Sequence, residues 1–63
     1  MDNPQEQLTR MIDKLQELLN DRREYEQNDA LEGVIECNSA LSEIRLAIKE
    51  YCATHELVVP RGV

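Results

Sequence analysis

Apolar residues recur along the first part of the chain as Leu8, Met11, Ile12, Leu15, Leu18, Leu19 and, past Arg22, Tyr25. With Leu8 at heptad position a, they fall at a, d and e, and finally at d. Three apolar positions in seven form a broad stripe on a core-facing helix, and nothing alternates with the period of two that a strand needs. Ahead of the stripe, Asn3 suits a helix cap, Pro4 the first helical position and Glu6 the third, so a capping box is predicted. A second helix is predicted from Ala30, Val34, Cys37, Leu41, Ile44, Ile48, Tyr51 and His55, which form an uninterrupted a/d seam widened by Leu31, Ile35 and Cys52. Gly33, Ala40 and Ala47 recur every seven residues beside it. Small residues at a fixed heptad position let a neighbouring backbone come close, although alanine is also the best helix former. Gly33 is less easily explained that way, because glycine inside a helix costs about 1 kcal/mol relative to alanine.

The two stripes are out of phase. Arg22 holds an a position of the first and Val34 an a position of the second, twelve residues apart. At ~100° per residue this is three turns plus about 120°, so one straight helix would put the stripes on different faces. A break at Gln27-Asn28-Asp29 lets them meet. Asn28 tolerates a left-handed helix end, and Asp29 with Glu32 makes a second capping box; Gly33 is the competing break point. A short connection makes the helices antiparallel neighbours. The predicted fold is all-α: one domain over residues 1–63, an antiparallel helical hairpin with helices at about 4–27 and 30–55. Pro60 forces Val59 to be extended, and 56–63 is expected to be a flexible tail.

A single hairpin does not hide this much apolar surface. One partner helix covers roughly two positions in seven, leaving Ile12, Leu19, Leu31 and Ile35 partly wet. A chain of 63 residues also buries only ~60% of its unfolded surface, so a partner is a common remedy. We expect a two-fold homodimer forming a four-helix bundle, with docking onto a different protein as the alternative. The expected dimer core is Leu8, Met11, Ile12, Leu15, Leu18, Leu19, Tyr25, Leu31, Val34, Cys37, Leu41, Ile44, Ile48 and Tyr51. Arg22 interrupts the first seam, where its aliphatic stem can cover the core edge or its head can meet an anion or partner. Asn38, flanking the second seam, either fixes register or is simply solvated.

Charge narrows the function. Thirteen acids against seven bases give a net charge of −6, which disfavours binding to nucleic acid phosphates and to anionic membranes. No apolar run approaches the ~18 residues of a membrane span, and no signal-type start is present, so a cytoplasmic protein is expected. Cys37 and Cys52 stand fifteen residues apart, ~22 Å along a straight helix, whereas a disulfide needs Cα atoms within ~7 Å. They read as reduced thiols, with a bridge between two chains as the alternative. Cys52 and His55 could share a helix face as half a zinc site, but Cys37 is four turns away, and no metal or other cofactor is expected. Cys-His catalysis needs an activated thiolate in a cleft. There is no glycine-rich phosphate loop and no Ser-His-Asp set, so an enzyme is not expected.

Two binding classes are left. In length and hairpin architecture the chain resembles the plasmid repressor-of-primer family, whose dimeric bundle binds paired RNA loops through basic and aromatic residues on one helix face. Here the first helix offers Arg10, Lys14, Arg22 and Arg23 against seven acids in residues 1–28. There is no Phe, and Tyr25 lies on the apolar side, so the family's site is missing. An acidic dimer that mimics nucleic acid is a further alternative. In its length, its Met1-Asp2-Asn3-Pro4 start and its two-helix pattern, the chain is similar to small early proteins of lambdoid phages, encoded by short open reading frames of the exo–xis region. That resemblance implies a regulatory protein that alters host physiology or the lysis–lysogeny decision by binding a host or phage protein. It assigns no binding residue.

Overall fold

In the computed structural model, which describes residues 3–63, Asn3 is extended at φ −77° and ψ 128°. Its Oδ1 accepts a hydrogen bond from the Gln5 backbone N–H at 2.9 Å. That satisfies one of the amides that a helix start leaves without a partner, and Pro4 has none to satisfy. Helix α1 then runs Pro4–Gln27 and helix α2 runs Leu31–His55. The described residues form one hairpin, two helices packed side by side, with extents of 41 × 19 × 17 Å. Met1 and Asp2, half of the Met1-Asp2-Asn3-Pro4 start on which an expectation of phage origin rests, lie outside the described residues.

The turn departs from expectation in its detail. Asn28, expected to be left-handed, has φ −100°, and Asp29 takes φ 55° instead. The Ala30 N–H donates to Tyr25 O at 2.9 Å and the Asp29 N–H to Glu26 O at 3.3 Å. These are the two bonds of a Schellman motif, which occupies carbonyls at the end of α1. A residue committed to that geometry is not available as an extended N-cap. The expected Asp29–Glu32 box is therefore absent; Ala30 takes the cap position without a side-chain hydrogen bond. Gly33 is not a break and lies inside α2.

The far end closes similarly. Glu56 is left-handed at φ 55°, and the Leu57 N–H donates to Cys52 O at 2.8 Å. This turns the chain back over the hairpin. The segment expected to be a flexible tail places Leu57 and Val63 against the core cluster. The Tyr51 hydroxyl donates to Pro4 O at 3.2 Å, tying the end of α2 to the start of α1.

The core consists of the a rows. Leu8 and Leu15 from α1 meet Leu41 and Ile48 from α2, with Cys52 completing the cluster. Cys37 is also buried. Burying a Leu or Ile fully stabilises by ~1.5–3 kcal/mol, so these few side chains hold the hairpin. No helix among the described residues is long and apolar enough to cross a membrane.

Candidate functional site

Outside the a rows, coverage is incomplete, and the two flanks of the hairpin differ. On one flank α1 presents its d residues Met11 and Leu18, and α2 its d residues Ile44 and Tyr51; all four are half-buried. Ala40 and Ala47 lie beside them at position g. A shallow groove runs along this flank, lined by Lys14, Leu18, Ala40, Glu43, Ile44 and Ala47. Its floor is apolar and its two rims carry opposite charges. Lys14 has its near partner on its own helix, Glu17 at 3.7 Å, and not across the groove.

The opposite flank is polar on its α2 side. Ile12 and Leu19 of α1 are half-buried there, but α2 answers with Asn38 and Arg45. Arg22 Nη1 donates to Asn38 Oδ1 at 3.2 Å, and Arg22 Nε lies 3.7 Å from Glu26 Oε1. Arg22 thus covers the core edge with its stem and reaches across the hairpin with its head. Asn38, itself exposed, receives it and so links the two helices. Arg45 is half-buried, and its Nε is shut off from solvent without a hydrogen-bond partner. The sequence reading did not single it out; its position at e, in series with Asn38 and Cys52, was the available signal.

The remaining expected core positions fall as follows. Leu19 and Val34 are half-buried. Tyr25 is 41% exposed and lies on Gly33: a Cβ added at Gly33 would fall 2.5 Å from Tyr25 Cγ and 2.7 Å from Cε1. Glycine at this place in the seven-residue row therefore makes room for a ring. Leu31 and Ile35, one turn apart, are 74% and 67% exposed. They lie outside the hairpin's own core, with Asp29, Glu32 and Glu36 next to them along the chain. Leu46, at an outer heptad position, is also exposed.

Both cysteines are free. Cys52 is turned into the core, with its Sγ 3.9 Å from Val58 O, and exposed His55 packs against Tyr51 with ring centroids 4.3 Å apart and the planes tilted by 42°. The structure does not bring Cys52 and His55 together with further ligands: among the described residues no group of three or more His, Cys, Asp and Glu could hold a metal ion. No family model, curated protein or solved structure matches the chain.

Proposed function

We propose that the chain is a small protein-interaction module with a regulatory role, working as a homodimeric four-helix bundle. The observation that carries this reading is the uncovered pair Leu31 and Ile35, together with the half-open d rows. Two large aliphatic side chains exposed side by side, one turn apart, commonly mark an interaction surface. The acids flanking that pair, within a chain of net charge −6, favour a basic or mixed-charge protein partner, and complementary fields would speed the encounter. A role as an early protein of a lambdoid phage, acting in the host cytoplasm on a host or phage protein, agrees with this reading.

The test is affinity capture with the unmodified chain and with Leu31→Asp/Ile35→Asp in parallel. The account expects one protein retained by the first and lost from the second, with an association rate that falls as salt rises. Equal recovery by both would remove Leu31 and Ile35 from the site. Sub-micromolar binding of paired RNA loops or duplex DNA at ~150 mM salt, abolished by Arg22→Ala/Arg23→Ala, would replace the proposal by the nucleic-acid reading.

A further inference from the structure

We infer that the second copy docks on the flank bearing Leu18, Ala40, Ile44 and Ala47, with the two-fold axis parallel to the helices, so that Lys14 of each chain meets Glu43 of the other. This rests on the homodimer proposed above and adds its face and arrangement.

The composition of the flank selects the face, and its burial, size and small residues suit a second layer. It is apolar on both helices, whereas on the opposite flank the apolar Ile12 and Leu19 of α1 are matched on α2 by Asn38 and Arg45, with Arg22 reaching across to Asn38. Met11, Leu18, Ile44 and Tyr51 on it are half-buried, while Leu8, Leu15, Leu41 and Ile48 beneath them are buried. In a finished four-helix bundle both rows are internal, so the hairpin is a bundle lacking its second layer. The size also fits. A hairpin with extents of 41 × 19 × 17 Å is long enough for one side to carry an interface of the usual ~800 Å² per partner. Ala40 and Ala47 keep the groove shallow-walled, so a helix of the second copy can approach closely.

Charge selects the arrangement. Lys14 stands on the α1 rim of the groove and Glu43 on the α2 rim. A two-fold axis parallel to the helices lays α1 of one chain over α2 of the other and keeps each residue's height along the bundle. Lys14 then faces the second chain's Glu43, and the pair occurs twice. A two-fold axis across the helices would instead lay α1 on α1, bringing Lys14 toward Lys14 and Glu43 toward Glu43, like charges that repel.

The experiment uses three chains: unmodified, Lys14→Glu and Glu43→Lys. Each variant alone faces two like-charge pairs in its homodimer. Exposed pairs are individually weak, so reversing two of them should weaken self-association by about thirty-fold at low salt. Mixed in equal amounts, the variants regain both opposite pairs. Each chain keeps its own internal like-charge rim in every state, so preference for the mixed dimer reads contacts between chains alone. We expect the mixture to associate more tightly than either variant and to recover helicity on mixing if the separate variants unfold. Ala47→Glu should abolish the dimer, whereas Leu46→Glu, on the outer surface, should leave it intact. If the unmodified chain dimerises but Lys14→Glu self-associates equally well, the arrangement is overturned. If Ala47→Glu still dimerises, the face is overturned. A monomeric unmodified chain would overturn the homodimer and, with it, this inference.

Discussion

Replacing Gly33 by alanine should destabilise the hairpin, although the substitution removes a glycine from the middle of a helix. In an open helix it would stabilise by about 1 kcal/mol through propensity alone. Here the new methyl would lie 2.5 Å from Tyr25 Cγ, an atom at the base of the ring that cannot swing aside without taking the whole side chain with it. Tyr25 is 41% exposed, so somewhat more than half of it is covered. A fully buried tyrosine hides about 150–250 Å². Lifting the ring off α2 therefore re-exposes at most roughly 90–150 Å², or ~2–4 kcal/mol at ~25 cal/mol per Å². Set against the ~1 kcal/mol gained from propensity, the net cost of Gly33→Ala is about 1–3 kcal/mol. In a Tyr25→Ala background the obstacle is gone and the same change should stabilise by about 1 kcal/mol. The assay is urea unfolding followed by circular dichroism on the four chains of this cycle, at one fixed protein concentration because association shifts the midpoint. If Gly33→Ala stabilises equally in both backgrounds, the ring does not rest on Gly33 and the reasoning fails.

Leu15→Ala and Leu41→Ala each empty part of the buried cluster and should cost ~2–5 kcal/mol, enough to abolish cooperative unfolding, while Leu46→Ala should stay within about 0.5 kcal/mol; thermal melts compare them. Glu56 and Asp29 both hold φ 55°, a conformation that costs a residue with a Cβ ~1–2 kcal/mol and short polar residues less. Glu56→Gly should therefore stabilise by about 0.5–1 kcal/mol and Asp29→Gly by less, an order that denaturant midpoints will report. Asn38→Ala removes the acceptor for Arg22 at 3.2 Å and should cost about 0.5–1.5 kcal/mol, with Arg22→Ala adding little further in the double variant.

The two helices were legible because their signals are redundant. Asn3 and Pro4 mark the start of α1, and the phase jump between Arg22 and Val34 demands a turn that no single residue announces. The structure starts α2 at Leu31, one residue from expectation. The turn's chemistry was not legible, because Asn28 and Asp29 both tolerate the left-handed region. The choice between them depends on which register lets Ala30 reach Tyr25 O and Asp29 reach Glu26 O, a matter of closing two hydrogen bonds at once. Gly33 stood out as anomalous, yet its reason lay on the other helix, at Tyr25. Lys14 and Glu43 look like ordinary surface charges in sequence; only the groove between the helices places them on facing rims. Leu57 and Val63 follow the helix end without periodicity, so nothing in their spacing signalled that the chain folds back over the core.

The hairpin is proposed to be one layer of a two-layer bundle. Sedimentation equilibrium of the unmodified chain from about 1 to 100 μM measures this directly. Twice the 7.3 kDa chain mass is 14.6 kDa, and that species should dominate, with a melting temperature that rises with concentration because folding is coupled to association. A 7.3 kDa monomer that melts cooperatively at the same temperature across the whole range would contradict it.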